Sequence, residues 1–289
     1  MAPKKQTPSV RLRRMAAELR RLRASADMSR EEVSDQTGIN SVTLYRIETA
    51  KAKPQKRTLM ALLNLYEVDP AQREYLLALL KDASVQGWLR PYHSDLPEEY
   101  TAYISFESEA QGVRNYESLF LPGLLQTEDY ARAVIRGVLP TATEEQVEDR
   151  VRARLERQPL LTKAAPLKFW AVVDEAALRR VVGGPAVMGR QLQHLAEVVA
   201  APNVTLQVIP FEAGAHPGMP GQFILMDFAD PMDTDLIYID SMAGDLFLES
   251  EADISRYRAI FDHLVAVAKS PNDSAALVAE LAGEHEKGG

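Results

Sequence analysis

Residues 28–54 read MSREEVSDQTGINSVTLYRIETAKAKP, and the fold of the N-terminal region can be predicted from the helix caps within them. Ser29 and Glu32 have the spacing of a capping box, in which each side chain bonds the backbone N–H of the other residue, so a helix is predicted to begin here. Gly38 supplies the left-handed residue that ends such a helix, and Asn40 is a favoured cap for the next one. The sequence therefore predicts two short helices joined by a tight turn.

The second of these helices has an unusual outer face. Leu44 and Ile47 lie three residues apart and are predicted to face the core, which leaves Val42, Tyr45 and Arg46 on the outside. An exposed Val beside an exposed Tyr suits a helix in the major groove of DNA. There a methyl group can meet thymine, and an arginine can pair with guanine or with phosphate.

Basic residues follow this helix directly. Lys51 and Lys53 stand where the chain leaving a recognition helix runs along the phosphate backbone, so they are predicted to hold DNA rather than to read its sequence. For Arg46 a second interpretation stays open, an ion pair with Glu48 or with an acid of the preceding helix. The predicted DNA-binding residues are Arg30, Asn40, Ser41, Val42, Thr43, Tyr45, Arg46, Lys51 and Lys53.

Further amphipathic segments complete a small helical domain. Residues 10–24 alternate apolar positions with an arginine-rich face, which is typical of an amphipathic helix. Pro54 breaks the chain before a fourth apolar pattern, and Asp69 followed by Pro70 opens a fifth. We expect residues 1–85 to form an all-α domain of five helices.

The charge of the chain is divided unevenly along its 289 residues. Residues 1–60 carry 14 Lys and Arg against 6 Asp and Glu, a net charge of +8, whereas the remaining 229 residues have a net charge of −16. This asymmetry suggests a polyanion as the partner of the N-terminal region and a different task for the rest, or else a solvated basic helix on an acidic protein. Together with the outer face of the second short helix, it favours double-stranded DNA as the partner. Cysteine is absent and no apolar run is long enough to span a membrane, so we expect a cytoplasmic protein without disulfides.

Residues 28–54 resemble the signature of the Xre/Cro/phage-repressor helix-turn-helix family. Eleven positions are in register with that signature, and they are Ser29, Glu31, Glu32, Gly38, Ile39, Thr43, Leu44, Arg46, Ile47, Glu48 and Pro54. The resemblance implies a lambda-repressor-like fold and sequence-specific DNA binding. Arg30, Tyr45 and Ala50 depart from the family, which often has Gln, Ser and Gly at these positions.

The C-terminal part is predicted to contain strands as well as helices. We expect a linker over residues 86–95, an α+β domain over residues 96–275 with a mixed or antiparallel sheet, and a flexible tail over residues 276–289. Five strands are predicted from apolar runs, LKFWAVVD, VTLQVIPF, QFILMDFA, DLIYID and DLFLES. Helices are predicted over residues 98–115, from Thr127 to Ile135, and over 143–161, 185–200 and 254–265. The narrow apolar stripe of helix 143–161 is expected to face a neighbouring helix or a second subunit.

This part resembles the C-terminal domain of the actinobacterial WhiJ-like, or Scr1-type, regulators. The resemblance is carried by five blocks in order, LPGLLQTEDYARAV, RARLERQPLLT, FWAVVDEAALRRVVGGPAVMGRQLQHL, PNVTLQVIPFEAGAHPGMPGQF and YIDSMAGDLFLE. The resemblance implies a regulator of development or secondary metabolism, often encoded beside a small acidic partner protein.

No catalytic or metal-binding constellation is visible. The five histidines lack the short spacing that a zinc site requires, and Gly183-Gly184-Pro185 lacks the remaining residues of a phosphate loop. We therefore expect no enzyme activity, no cofactor and no metal. The loops 121–127 and 214–221 are candidates for ligand contact through Gln126, His216 and Met219, or they are ordinary connections.

Three hypotheses about function follow. The first is a homodimeric, sequence-specific DNA-binding transcription regulator whose C-terminal domain senses a small-molecule effector or a protein. The second is an antitoxin-like or scaffold protein that binds a small protein partner and regulates its own operon. The third is a nucleotide- or nucleic-acid-processing enzyme targeted by the N-terminal domain. The composition and motifs rank them in this order.

Overall fold

A computed structural model describes residues 10–82, 96–230, 233–241 and 244–287. Contacts divide the chain into two units. Among the described residues, the N-terminal unit contains 10–82, 97–109, 230 and 233, and the C-terminal unit contains the others. The linker expected over residues 86–95 lies outside the described residues.

The N-terminal unit is built from helices. They are α1 (Val10–Ser25), α2 (Arg30–Thr37), α3 (Ser41–Glu48), α4 (Lys56–Leu65), α5 (Pro70–Asp82) and α6 (Glu98–Glu109). The first five correspond to the predicted helices, and they share a core that includes Met15, Leu19, Val33, Leu44, Ile47, Leu59, Leu62, Leu63 and Leu76. Helix α6 was expected to belong to the C-terminal domain, but by its contacts it groups with these five helices.

Helices α2 and α3 and the turn between them have the predicted caps. Ser29 Oγ accepts a hydrogen bond from the Glu32 N–H at 3.1 Å, and the Ser29 N–H donates to Glu32 Oε2 at 2.7 Å. Gly38 has a φ of +70°, and its N–H donates to the carbonyl oxygen of Ser34 at 2.8 Å. Asn40 Oδ1 accepts from the Val42 N–H at 2.8 Å. These bonds satisfy backbone groups that a helix end leaves free, so the local sequence alone specifies the turn.

The C-terminal unit contains a mixed sheet of six strands. They are β1 (Gly112–Glu117), β2 (Lys168–Asp174), β3 (Val204–Ile209), β4 (Phe223–Asp227), β5 (Leu236–Ile239) and β6 (Leu246–Leu248), in the order β3-β2-β1-β4-β5-β6. Strands β1, β2 and β3 are parallel, whereas β4, β5 and β6 continue from β1 as antiparallel pairs. The α+β fold with a mixed sheet is confirmed, as are the five predicted strands, β2 to β6.

Helices surround this sheet. They are α7 (Glu128–Val138), α8 (Glu144–Leu155), α9 (Glu175–Arg179), α10 (Pro185–Val198), α11 (Glu251–Val267) and α12 (Pro271–Lys287). Ile254, Phe261 and Leu264 of α11 pack against one face of the sheet, where Tyr116 and Phe223 lie. In α8, the narrow stripe that includes Val147 and Val151 packs with Ile135 of α7, so a neighbouring helix covers it. Among the described residues, no helix combines the length and apolar composition needed to cross a membrane.

Three expectations about the C-terminal part were wrong. The helix predicted over 98–115 ends at Glu109, and residues 112–117 form β1, a central strand that was missed because half of its side chains are polar. The helix predicted over 143–161 ends at Leu155 and is followed by a 3-10 turn over residues 158–161, whose Pro159 has no N–H to donate. The flexible tail predicted over 276–289 is instead helical through Lys287, because an apolar stripe that includes Val278 and Leu281 is buried.

We predict that Gly38→Ala lowers the stability of the N-terminal unit by about 1 kcal/mol. A methyl group at this position would contact no other atom within 4 Å, so the cost comes from the left-handed backbone alone. Urea unfolding followed by circular dichroism measures the change. Gly38→Asn is the matched control and should lose less, because Asn tolerates this conformation. Equal stability of the Ala variant and the natural protein would contradict the assignment.

Candidate nucleic-acid interface

Helix α3 presents two apolar side chains to solvent. Val42 is 64% exposed and Tyr45 is 43% exposed, whereas Leu44 and Ile47 on the opposite side are buried in the core. Hydrophobic side chains of this size are normally covered when they stand together on a helix. The predicted division of α3 into an inner and an outer face is therefore what the structure shows.

Arg46 lies on the same outer face and is exposed. Of the two interpretations of this residue, the ion pair with Glu48 is not formed. Glu48 instead accepts from Arg23 Nε at 2.6 Å and from Arg30 Nε at 2.7 Å. No acidic side chain within the described ranges pairs with Arg46. Its guanidinium, with five N–H donors, is therefore available to a partner outside the chain.

Two cations contact the ring of Tyr45. The guanidinium carbon of Arg30 is 5.3 Å from the centre of the tyrosine ring, and Lys51 Nζ is 4.9 Å from it. Lys51 Nζ also lies 3.3 Å from Tyr45 Oη. Contacts of a cation with a ring face are favourable. Arg30, Tyr45 and Lys51, which were predicted separately as DNA-binding residues, thus form one group on the surface.

The remaining predicted DNA-binding residues flank this group. Asn40 is exposed, but its side-chain oxygen is used in the cap of α3. Thr43 and Lys53 are exposed and Ser41 is half-buried. Ala50, at a position where the resembled family often has Gly, has a φ of +54°, the left-handed conformation that favours glycine. This turn leads the chain from α3 into the segment that carries Lys51 and Lys53.

In the C-terminal unit, Gln126 is fully buried among polar groups. Its Nε2 donates to the carbonyl oxygen of Leu121 at 2.6 Å, and its Oε1 accepts from Arg154 Nη1 at 2.9 Å. The Gln126 carbonyl oxygen accepts from Gln158 Nε2. The amide is therefore engaged in holding the segment after β1 to α8 and the turn that follows it.

His216 and Met219 belong to a different neighbourhood. His216 Nε2 lies 3.3 Å from Asp174 Oδ2, its Nδ1 accepts from the Gly218 N–H at 3.3 Å, and its ring meets Tyr116 edge-on. Met219 is exposed. His216 and Gln126 have different hydrogen-bond partners, and no hydrogen bond in the described part of the chain joins one to the other.

Sequence reasoning missed a buried polar group at the end of β1. Glu117 is only 6% exposed, and its Oε1 accepts from Asn115 Nδ2 at 3.2 Å. Burial raises the pKa of the Glu117 carboxyl to about 8, although the charge of Arg154 lowers it in part. The only signal in the sequence was a carboxylate two residues after an amide in a strand with few apolar residues, and the helical assignment concealed it.

The described part of the chain contains no cluster of side chains that could bind a metal ion. Within the described ranges, no three His, Asp or Glu side chains come together as a metal site would require. The absence of a cofactor, of a metal and of enzyme activity stays a prediction.

We predict that the stability of the C-terminal unit falls as the pH rises from about 5 to about 8. In the unfolded chain Glu117 ionises at its ordinary pKa, whereas the folded protein keeps the proton until about pH 8, so between these values the folded state binds more protons. The free energy of unfolding should drop by roughly 2–4 kcal/mol over this range and level off above it.

Two variants test the assignment of this pH dependence. Glu117→Gln should flatten the profile of urea midpoints against pH, because the amide does not titrate. Glu128→Gln, which alters an exposed acid, should leave the profile as it is in the natural protein. A Glu117→Gln profile that matches the natural one would show that another group is responsible.

Two family models match different parts of the chain, and the second match includes most of α6. Residues 14–76 match a family described as a helix-turn-helix domain, and this match supports a DNA-binding transcription regulator. Searches of curated proteins and of solved structures found no match. Residues 100–280, more than half of the chain, match a family described as "Domain of unknown function (DUF5753)". The chain belongs to this DUF5753 family.

Proposed function

We propose that the protein is a homodimeric regulator that recognises a specific DNA sequence through α3. The observation that carries this proposal is the outer face of α3, where Val42 and Tyr45 are exposed beside an Arg46 that has no acidic partner in the described part of the chain. A merely solvated helix has no need of such a face. In a major groove, the valine methyl groups suit thymine and the arginine suits guanine.

We assign recognition of the DNA bases and contact with the DNA phosphates to different residues. Val42, Tyr45 and Arg46 are the candidates for base contacts, since they project from one face of α3. Lys53 is the clearest candidate for a phosphate contact, because it is exposed and has no ring or acid contact among the described residues. Lys51 contacts Tyr45, so its removal is expected to affect both tasks.

The dimer is proposed on geometric grounds. One helix of eight residues reads only a few base pairs, whereas two copies spaced by roughly 34 Å read two half-sites on one side of the duplex. We expect two full-length chains on each duplex selected from a random pool, with half-site centres about 10 base pairs apart. Native mass spectrometry of the complex measures the ratio, and a single chain per selected duplex would refute the dimer.

For the C-terminal unit we propose the sensing of an effector or a protein. We also propose the closer kinship to WhiJ-like regulators, with a small acidic protein as one candidate partner. The unit has a sheet and six helices in its described part, which is far more structure than a two-fold contact needs.

The second candidate, an antitoxin-like or scaffold protein, is favoured by the net charge of −16 over residues 61–289, which suits a cationic partner. We propose no catalytic role.

We predict that Val42→Ala and Tyr45→Ala reduce the preference for selected DNA over scrambled DNA by about 1–3 kcal/mol. Lys53→Ala should weaken binding to both DNAs alike. It should also reduce the slope of log affinity against log salt by about one unit, because one phosphate contact is lost. Titrations of the full chain at several salt concentrations, followed by fluorescence anisotropy, separate the two effects.

Val138→Ala is the matched control, since Val138 is also an exposed valine on a helix, α7, and is not among the predicted DNA-binding residues, so both affinities should stay unchanged. If Val42→Ala and Tyr45→Ala lower the affinity for both DNAs equally, the assignment of the reading face is wrong. If the natural protein does not distinguish selected from scrambled DNA at all, sequence-specific regulation is excluded.

A further inference from the structure

Three buried atoms in the C-terminal unit lack a hydrogen-bond partner within the described residues. They are Tyr116 Oη, Glu117 Oε2 and Arg154 Nε. Buried polar groups in native proteins are nearly always bonded, so each exception requires an explanation. Glu117 and Arg154 are close enough for the charge of the guanidinium to act on the pKa of the carboxyl. Two of the three exceptions therefore belong to one neighbourhood.

This neighbourhood lies at a distinctive place in the sheet. Glu117 is the last residue of β1, and β1 separates the parallel half of the sheet from the antiparallel half. The carboxyl ends of β1 and β2 meet at this edge of the sheet, and ligands of open sheets with parallel strands bind beyond such carboxyl ends. Strand β4 lies on the other side of β1 and runs antiparallel to it, so the end of β1 borders the parallel half of the sheet.

Arg154 forms no ion pair with an acidic side chain in the described ranges. Its Nη1 donates to Gln126 Oε1 at 2.9 Å, which is a neutral amide, and its Nε–H remains without an acceptor. The backbone at Gly123 runs beside it, since a Cβ at that residue would lie 3.6 Å from Arg154 Nε. A guanidinium so placed favours an anionic acceptor over a neutral one.

Glu117 adds a second donor. Its Oε1 accepts from Asn115, which leaves Oε2 free, and burial keeps the carboxyl protonated near neutral pH. A protonated carboxyl has one O–H to donate. Tyr116 is left out of the site, because its ring packs with Phe223 in the core on the other face of the sheet.

We propose that Glu117 and Arg154 bind the carboxylate group of a small organic acid. One carboxylate oxygen accepts from Arg154 Nε–H, and the other accepts from the Glu117 carboxyl. Gln126 holds the guanidinium in place through Nη1 and is a positioning residue. The inference rests on the proposed sensing role of the C-terminal unit and names the class of effector, a small molecule with a carboxylate.

The test measures binding to the full chain without DNA. Sodium acetate, butyrate and benzoate serve as probes, each against sodium chloride at equal ionic strength, with calorimetric titration and the thermal unfolding midpoint as readouts. At least one carboxylate should bind and raise the midpoint. Arg154→Lys keeps the charge but lacks the Nε–H, and it should weaken binding about tenfold.

Further variants test whether weaker binding by Arg154→Lys comes from loss of the site or from misfolding. Gly123→Ala removes no polar group, but its methyl would lie beside Arg154 Nε and should also weaken binding. Glu117→Gln keeps a donor at this position and should bind within about threefold of the natural protein. Arg152→Gln alters an exposed arginine of the same helix and should have no effect. Circular dichroism in sodium chloride confirms that each variant is folded.

The outcomes separate this inference from the proposed function. If none of the three carboxylates binds, or if folded Arg154→Lys and Gly123→Ala bind as the natural protein does, the carboxylate site is wrong. If the natural protein prefers no DNA sequence either with or without a carboxylate, the proposed regulator is overturned instead. Carboxylate binding that leaves DNA affinity unchanged would support the site and refute its role in sensing.

Discussion

The N-terminal unit depends on one buried carboxylate. Glu48, at the end of α3, accepts hydrogen bonds from Arg23 of α1 and from Arg30 of α2, so a single side chain ties three helices together. Arg23 also donates to the carbonyl oxygen of Met28, just before the cap of α2. Removing one member of a buried ion pair is costly because the remaining charge is left without its partner. The orientation of the recognition helix is therefore fixed by charge as well as by the apolar core.

The same carboxylate shapes the surface that meets DNA. Glu48 holds Arg30, and Arg30 lies against the ring of Tyr45. Lys51 also contacts this ring. A side chain already held in place loses less conformational entropy when it binds. Arg46, by contrast, has no such restraint among the described residues. The interface thus combines an ordered aromatic group with an arginine that is free to find its acceptor.

Local features of the fold could be predicted from the sequence, and contacts between distant residues could not. The cap formed by Asn40 and the left-handed Gly38 are local bonds, so short patterns reveal them. The pair of Arg30 with Glu48 joins residues 18 positions apart, and nothing in either helix distinguishes Glu48 from a solvated acid. Strand β1, residues 112–117, is hidden for the same reason, since its polar side chains are bonded only in the folded sheet.

The edge of the sheet at β3 is covered by Lys269 and by the first turn of α12. The Val208 N–H donates to Ser274 Oγ at 2.9 Å, and its carbonyl oxygen accepts from the Lys269 N–H at 2.8 Å. An unprotected edge strand offers such groups to other chains and promotes aggregation. Helix α12 therefore protects the protein from aggregation. A chain shortened before Ser270 would keep every strand of the sheet but would expose the edge of β3 to pairing with other chains.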